Sequence, residues 1–382
     1  MTSAKIAGIG AVTGYGWGFA ALRDGVAGGR SAAHAQVVDG LDVVAATVPH
    51  HPGTGDGTSR YEEAALFAVA DALADARDRG WEAGGTVGVV FCTGIGDIRT
   101  VRDGYFRDSR PLPSAFPHML HTSPGSLLSQ RYGWTGPNLV VNAACSSGNA
   151  ALQLAEQWLT SGVATDVIVA GAEFCVIEEI VTGFRRMRVL VGDGASASDC
   201  RPFQEGSRRF FLGEAAVALV VTGEADRPRA TYLGGAATHD AFHLVAPAPD
   251  GAQLERCYRA ALADAAVDAG DIALVKAHGS GTPLNDQVEA ALLDRLFPPA
   301  TQVCSYKPLV GHCMALASLA ELAGLVAGYE IDRLPAHVTD DPAHPRLADA
   351  GPPADGLVLC GSVGLGGANT AAVFDIPRGE LP

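Results

Sequence analysis

The first residue with potential for chemistry is Cys145, which lies where the pattern changes from a strand to a helix. Residues 139–141 are apolar and strand-like, whereas apolar residues within 151–159 recur at the helical spacing i, i+3, i+4, i+7 and i+8. A thiol at the start of a helix faces the positive end of the helix dipole, which lowers its pKa and favours the nucleophilic thiolate. The same position also suits a small buried core residue, the more usual role of a free cysteine. This stretch alone leaves both roles open.

Polar residues of the second half could act together with such a thiol. His278 opens a turn after a predicted strand, and His312 follows Lys307 by five residues. Alone, either histidine is more typical of a loop at a strand end, and Lys307 or Glu289 would be a solvated surface charge. Strand ends of a duplicated α/β body converge on one side, so these residues could meet Cys145. A thiolate beside two imidazoles suits covalent acyl transfer followed by a step that needs hydrogen-bond donors and a base.

The elements that would position these groups occur in the same order twice, strand, helix, strand, helix, strand. We therefore predict an internal duplication, with an N-terminal half at 1–225 that carries the cysteine and a C-terminal half at 226–382 that carries both histidines and the lysine. No linker rich in Pro, Ser and charge divides them, so they should pack as one body. The predicted strands are 4–12, 86–91, 139–141, 166–172 and 210–222, then 230–237, 272–277, 302–306, 357–361 and 371–375. The predicted helices are 60–79, 126–132, 151–159, 253–267, 285–297 and a helix at 314–328 that is apolar all round and hence buried, while 107–125 and 181–209 are predicted to be irregular.

Composition excludes several classes of protein. The 382 residues are 48% hydrophobic and 18% charged, and the net charge of −15 argues against a nucleic-acid partner. None of the eight cysteines forms a CxxC pair, which disfavours a zinc site, so we expect no metal. Free thiols are typical of a reducing cytosol. No apolar run is long enough to span a membrane, and no signal peptide is evident. We expect a cytoplasmic protein.

Six segments, in order along the chain, resemble the elongating β-ketoacyl synthases of the thiolase superfamily, which act in fatty-acid and polyketide assembly. They are IAGIGAVTGYGWG at the start, NAACSSG at Cys145, RRFFLGEAA with Phe210, VKAHGSGTPLNDQVEA with His278 and Glu289, SYKPLVGH with Lys307 and His312, and VGLGGANTAAVF near the end. The resemblance implies a thiolase fold, an α/β fold with duplicated halves in a five-layered αβαβα body that is usually dimeric. Paired histidines match the elongating enzymes, because starter-condensing relatives carry asparagine at the second position and degradative thiolases use a second cysteine.

The implied reaction is a ping-pong condensation. Cys145 takes an acyl chain from a carrier-protein thioester, and malonyl-carrier protein then enters and loses CO2. His278 and His312 assist decarboxylation and stabilise the enolate, which attacks the acyl-cysteine. Backbone N–H groups of Cys145 and Leu365 form the oxyanion hole, and Lys307 with Glu289 gives electrostatic support.

Substrate binding is also implied by the resemblance. Ser280 and Thr282 match positions that hydrogen-bond the phosphopantetheine arm, and Phe210 lies beside the active site. Leu365 replaces the usual mobile gatekeeper phenylalanine, and this departure points to a specialised polyketide or fatty-acid pathway. No cofactor is expected, since the substrates are carried on the phosphopantetheine of an acyl carrier protein.

Partners follow from the same resemblance. Arg185, Arg186 and Arg188 are candidates for docking the acidic carrier protein, although an arginine-rich solvated loop explains them equally well. The expected assembly is a homodimer, or a heterodimer with a ketosynthase-like chain-length factor. Two other functions stay open: a cysteine-dependent acyltransferase without decarboxylation, and a non-catalytic partner subunit of the chain-length type. The retained histidine pair favours condensation over the first, and Cys145 argues against the second.

Overall fold

The computed structural model describes residues 4–51, 58–106, 116–192, 194–207, 209–335, 344–348 and 350–379. Its strands are β1 (Ala4–Thr13), β2 (Gly16–Trp17), β3 (His34–Val38), β4 (Leu41–Ala46), β5 (Val87–Cys92), β6 (Asn138–Val141), β7 (Asp166–Glu173), β8 (Leu212–Gly213), β9 (Ala215–Thr222), β10 (Ala230–His239), β11 (Ile272–Lys276), β12 (Gln302–Cys304), β13 (Leu357–Gly364) and β14 (Ala368–Asp375). Its α-helices are α1 (Phe19–Gly28), α2 (Arg60–Asp78), α3 (Ile98–Val101), α4 (Ser123–Tyr132), α5 (Ser147–Thr160), α6 (Glu178–Arg186), α7 (Ala252–Asp264), α8 (Pro283–Leu296), α9 (Lys307–Val310) and α10 (Ala317–Glu330).

The strand order shows the duplication directly. Five strands of the first half run β6-β5-β7-β9-β1, and five of the second run β12-β11-β13-β14-β10. In each set the first three neighbours are parallel and the later pairings are antiparallel. The two sets meet where β1 pairs with β10 through Lys5 and Thr231. Both halves therefore carry the same topology, while the exact division at residue 225 remains our interpretation.

Helices pack in three layers around these two sets of strands. Between them lie α5 and α10, which contact strands of both halves as well as each other. On the outer faces, α2 and α4 cover the first set and α7 covers the second. This is the five-layered αβαβα arrangement expected from the sequence. Every residue of α10 is buried, in agreement with its apolar composition on all sides.

Helix α2 illustrates how local sequence builds an outer layer. Ser59 caps its N-terminus by accepting from the backbone N–H of Glu62, while the Glu62 side chain accepts from the N–H of Ser59. Its alanine-rich face packs on β1 at Gly8 and Gly10. A Cβ at Gly10 would lie 2.0 Å from the carbonyl oxygen of Ala68, so only glycine permits this approach.

Some sequence predictions were wrong in detail. The segment 181–209 is not irregular throughout, because α6 extends to Arg186. This helix has acidic residues in its first turn and arginines in its last, and it buries only Val181 and Phe184. Two buried apolar residues among these charges are too few to give a recognisable helical periodicity. Helix α4 begins three residues before the predicted start, inside the segment predicted to be irregular, of which 107–115 lie outside the described residues. Helix α1 and the β3–β4 hairpin were not predicted.

Candidate active site

Cys145 lies in a tight turn between β6 and α5. Ala144 has a φ of 49°, an uncommon left-handed conformation for a residue with a Cβ. Ser147 holds the turn, since its hydroxyl donates to the carbonyl of Ala144 at 2.6 Å and accepts from the N–H of Ala143 at 2.8 Å. Cys145 immediately precedes Ser146, the N-cap of α5, as the sequence predicted.

The turn that carries the cysteine is fastened to the second half. Ser362 of β13 donates its hydroxyl to the carbonyl of Cys145 at 2.8 Å, and Ser146 donates to the carbonyl of Ala368 at 2.9 Å. These bonds join the nucleophile turn to the glycine turn between β13 and β14, where Leu365 lies. Neither serine was singled out from the sequence.

His312 lies directly beside the thiol, with its Nε2 atom 3.3 Å from Cys145 Sγ. Its Nδ1 accepts the backbone N–H of Met314 at 3.2 Å. Because that nitrogen acts as an acceptor, the proton of the neutral ring is assigned to Nε2. The rings of His312 and Phe210 form a T-shaped pair with centroids 4.7 Å apart. His312 therefore presents an N–H donor to the sulfur.

His278 is the second ring of the site. Its centroid lies 5.5 Å from that of His312, at an interplanar angle of 74°. The Nζ of Lys307 is 3.5 Å from His278 Nδ1 and also donates to the carbonyl oxygen of His278. An ammonium group has no acceptor, so Nδ1 must accept and the ring proton again belongs on Nε2. The site thus contains two neutral imidazoles that each carry a proton on Nε2.

The carboxylate that pairs with Lys307 is Glu321, not Glu289. Glu321 of α10 lies 2.6 Å from Lys307 Nζ through Oε1 and is fully buried. Glu289 instead accepts the backbone N–H groups of His278 at 2.8 Å and of Gly279 at 2.7 Å. It is also buried, so it is neither a surface acid nor the partner of the lysine. Glu289 lies on α8, the helix that directly follows the turn, and through these two bonds it fixes the backbone at His278.

Burial has the largest effect on the pKa of the Cys145 thiol. The sequence analysis expected a lowered pKa at this position, and that expectation was wrong. Desolvation raises the pKa of Cys145 to about 11, even though Lys307 and the backbone N–H groups of Leu365 and Cys145 lower it. The helix terminus alone does not make this cysteine a thiolate in the free protein. The pKa of His278 and that of His312 are both well below their usual value, first because of burial and then because of the nearby ammonium groups.

Alkylation by iodoacetamide should report this protonated thiol. Because only the thiolate reacts, we expect the rate of modification at Cys145 to rise about tenfold per pH unit from pH 7 to pH 9, without a plateau. Intact-protein mass spectrometry at each pH gives the rate, and Cys145→Ala corrects for other thiols. A plateau below pH 8 would show that the thiolate already predominates at neutral pH.

An open pocket leads from this cluster to the surface. Its wall contains Cys145, both histidines, Phe184, Val189, Phe210, Ser280, Thr282, Asn285 and residues 245–247 and 363–367. The hydroxyls of Ser280 and Thr282 lie 2.8 Å apart. Leu365 is 37% exposed, and the N–H of the next residue, Gly366, donates to the carbonyl of Leu244. Leu365 therefore lies at the mouth, where two loops meet.

The three arginines near the mouth are not equivalent. Arg186 and Arg188 are exposed at the end of α6, and Arg188 has a φ of 58°. Arg185 is half-buried and donates to the carbonyl of Asp42 in the β3–β4 hairpin. Two of the three are thus available to a partner, whereas Arg185 has a contact within the fold.

Two charged residues of the site, Glu321 and Lys276, were missed in the sequence. Lys276 Nζ lies 3.0 Å from Glu321 Oε2, and both side chains are buried. The available signal was a single carboxylate in the otherwise apolar stretch 314–328 and a single lysine in an apolar strand. A charge that is buried in this way needs an opposite charge nearby. Among the described residues, no group of His, Cys, Asp and Glu could hold a metal ion.

Fold and site together define an acyltransferase-type enzyme of the thiolase fold. Two family models match the chain, the N-terminal domain of β-ketoacyl synthase over residues 8–227 and its C-terminal domain over residues 229–339. The chain belongs to the β-ketoacyl synthase family.

Individual relatives agree with this assignment. The 3-oxoacyl-[acyl-carrier-protein] synthase 2 of Staphylococcus aureus is 30% identical over 270 residues, which cover 67% of each chain. A type II polyketide ketosynthase, solved with its acyl-carrier protein and bound to the hexaketide, superposes with a TM-score of 0.86 at 19% identity over 98% of this chain and 99% of its own. A ketosynthase from Xenorhabdus doucetiae, in complex with its chain length factor, gives a TM-score of 0.81 at 24% identity over 98% of each chain. At identities of 19% and 24%, the two superpositions show the shared fold alone.

Proposed function

We propose that this protein catalyses the decarboxylative condensation of an acyl chain on Cys145 with a malonyl group on an acyl carrier protein. The observation that carries the proposal is the placement of two neutral imidazoles, each with a proton on Nε2, against one thiol at the end of an open pocket. A simple acyl exchange needs the thiol and an oxyanion hole. A pair of donors backed by a buried lysine is suited to an enolate.

In the first half-reaction the sulfur of Cys145 attacks an acyl-carrier thioester. The carbon–sulfur bond to the carrier breaks, and the thiol proton of Cys145 passes to the departing carrier thiolate. The backbone N–H groups of Cys145 and Leu365 both reach the sulfur, so they lie where the oxyanion of the tetrahedral intermediate forms. The Nε2 proton of His312 stabilises the sulfur as its negative charge develops.

In the second half-reaction malonyl-carrier protein occupies the same pocket. Loss of CO2 leaves an enolate, whose oxygen accepts the Nε2 protons of His278 and His312. The enolate carbon attacks the acyl carbonyl on Cys145, and the cysteine thiolate then departs and takes a proton from water. Both donors keep their orientation because Nδ1 of each ring accepts a hydrogen bond, from Lys307 or from the backbone of Met314. The lysine thereby supports the enolate through His278.

The pocket entrance suits the carrier's phosphopantetheine arm. Ser280 and Thr282 face the pocket with two hydroxyls that hydrogen-bond each other and can exchange that bond for one to an amide of the arm. Leu365 at the mouth gives a smaller gate than an aromatic ring, which fits a specialised polyketide or fatty-acid pathway. The proposed chemistry uses side chains and backbone N–H groups of the chain itself, so the proposal includes no resident cofactor and no metal.

We assign carrier docking to the exposed Arg186 and Arg188, with Arg185 securing the helix that carries them. Replacing both exposed arginines with glutamate should raise KM for the carrier protein about tenfold and leave kcat nearly unchanged, since rim charges act mainly on encounter. Acyl-pantetheine without the protein should show no change. Steady-state assays with both substrates separate the two effects.

Arg77→Glu reverses one charge and is the matched control for the single variants Arg186→Glu and Arg188→Glu. Arg77 is exposed in the last turn of α2 and lies beside Trp81, which bonds Asp166 at the start of β7. Cys145 follows the opposite ends of the parallel strands β5, β6 and β7. An equal rise of KM in Arg77→Glu would show that net charge alone, and not the arginines of the mouth, governs binding.

The proposed assembly is a dimer, either of identical chains or with a chain-length factor, as in the Xenorhabdus doucetiae complex. No helix of the described residues has the length and apolar character needed to cross a membrane. Eight free, buried cysteines support a reducing compartment, and we propose the cytoplasm.

The proposed function is tested by incubating the protein with acyl- and malonyl-carrier proteins and analysing the carrier by mass spectrometry. The expected product is a β-ketoacyl carrier extended by two carbons, formed together with CO2. Acyl transfer without CO2 release would support the acyltransferase without decarboxylation. The absence of both reactions would support a non-catalytic partner subunit.

A further inference from the structure

Two of the three lysines in this chain are buried against the same carboxylate. Only three of its 27 basic residues are lysines, at positions 5, 276 and 307. Lys276 and Lys307 are each 1% exposed, and they contact opposite oxygens of Glu321 at 3.0 Å and 2.6 Å. The roles derived above account for Lys307, and nothing in them accounts for Lys276.

Lys276 connects three elements that shape the site. It ends β11, two residues before His278, and it reaches Glu321 on α10. Its second contact is the carbonyl of Gly361 on β13, at 3.0 Å. The next residue, Ser362, holds the carbonyl of Cys145. One ammonium group therefore braces the His278 turn, the carboxylate behind Lys307 and the strand leading to the oxyanion hole.

The two oxygens of the Glu321 carboxylate each accept from a different lysine, and this arrangement fixes the position of Lys307. Oε1 accepts from Lys307 and Oε2 from Lys276, so neither oxygen is without a partner. Without Lys276, a buried oxygen would have no cation, and the carboxylate would turn to take Lys307 with both oxygens. That rotation would draw the ammonium group of Lys307 away from Nδ1 of His278.

The charges around the two imidazoles also depend on Lys276. Two ammonium groups and one carboxylate give this buried triad a net charge of +1. Lys276 and Lys307 both lower the pKa of each histidine, after burial as the largest cause. The other titratable groups that face the rings are the Cys145 thiol, Glu289, whose carboxylate is held by backbone N–H groups, and the opposite imidazole.

We propose that Lys276 is a positioning residue for the condensation: it holds Glu321 so that Lys307 stays against His278, and its charge helps to keep both imidazoles neutral. The inference rests on the proposed function. Protonation of either ring would place a proton on Nδ1, where it would face the Lys307 ammonium group or the N–H of Met314. The ring would then lose the orientation that presents Nε2 to the enolate.

The test is the pH profile of malonyl-carrier decarboxylation from pH 4.5 to 8.5 in Lys276→Met. Removing one cation brings the triad to zero charge, so both imidazole pKa values should rise. We expect the acidic limb to move upward by about half a unit or more. At pH 7, above this limb, decarboxylation should still fall roughly tenfold because Lys307 no longer orients His278, while acylation of Cys145 falls less.

Charge balance can be separated from packing with a second variant. Adding Glu321→Gln to Lys276→Met restores the net charge of +1, so the acidic limb should return towards that of the wild type. Lys5→Met, which removes the lysine outside the site, should leave the limb in place. An unmoved limb in folded Lys276→Met would overturn the inference, whereas a wild type without decarboxylation would refute the proposed function itself.

Imidazole ¹⁵N shifts of the wild-type protein keep the inference testable if Lys276→Met does not fold. Both rings should stay in the neutral form protonated at Nε2 at pH values well below the ordinary histidine pKa, because burial and the two ammonium groups lower the pKa of each ring. Titration of either ring near pH 6.5 would contradict the electrostatic role of Lys276.

Discussion

Cys145→Ala should abolish the acyl adduct completely. When the protein is mixed with acyl-carrier protein, the wild type should gain one acyl mass per chain and the variant none. The expected effect is total because Cys145 lines the pocket beside His312, whereas burial raises the thiol pKa of each of the seven other cysteines further than that of Cys145. Intact-protein mass spectrometry measures the adduct within minutes of mixing.

Cys313→Ala provides the matched control. Cys313 is also buried, adjoins His312 in sequence, and directs its thiol to the carbonyls of Val310 and Gly311. We expect this variant to retain the acyl adduct, since Cys145, and not Cys313, lines the pocket. If Cys145→Ala still forms the adduct and Cys313→Ala does not, Cys313 is the nucleophile and the proposed site is refuted.

His278→Ala and His312→Ala should each lower malonyl decarboxylation by about two to three orders of magnitude, the scale of losing one preorganised donor to a developing oxyanion. Each loses one Nε2 proton that faces the enolate, and neither alters the two backbone N–H groups at the sulfur. Acylation of Cys145 should consequently fall less than CO2 release, especially in His278→Ala, whose ring is not the one beside the sulfur. Release of labelled CO2 and adduct formation are measured on the same samples.

His34→Ala tests whether any histidine loss has this effect. His34 is exposed on the β3–β4 hairpin. Its ring contacts the carbonyl of Ala32, and it is not one of the residues that line the pocket. Its removal should leave both half-reactions at wild-type rates. Equal losses of acylation and CO2 release in His278→Ala would instead show that the ring serves binding or folding, and the division of roles between the two half-reactions would be wrong.

The sequence predicted the groups that occupy the site better than their partners. Cys145, His278, Lys307 and His312 each end or begin a recognisable element, and the parallel strands bring those ends together. The carboxylate behind Lys307 was assigned to Glu289 because it shares a motif with His278. Glu321 lies on α10 in the central helical layer. A contact between different layers of the fold cannot be recognised from a local sequence pattern.

The protonation state of Cys145 also escaped prediction, for a physical reason. The position before α5 suggested a lowered pKa, and in the structure Lys307 and the backbone N–H groups of Leu365 and Cys145 do lower it. Desolvation depends on how completely the two halves close over the sulfur, which becomes known only when the three-dimensional packing is known. Helix α6 illustrates the same limit on a smaller scale, because only two of its side chains are buried.

Glycine-rich turns and buried strands were the most predictable parts of the fold. The apolar runs at β5, β7 and β9 are buried at every residue, and strands of this kind have few alternatives. The β3–β4 hairpin turns at Asp39-Gly40, where both residues have positive φ, so the sequence did carry a strong hairpin signal that the prediction overlooked, and the mixed burial of the two strands gave little further indication.

A single-turnover experiment tests the central claim most directly. Protein acylated on Cys145 is freed of excess donor and mixed with malonyl-carrier protein labelled in its carboxyl group. We predict that each adduct consumed gives one labelled CO2 and one β-ketoacyl carrier. Loss of the adduct to the carrier without CO2, or CO2 release that leaves the adduct in place and gives no extended product, would contradict the condensation.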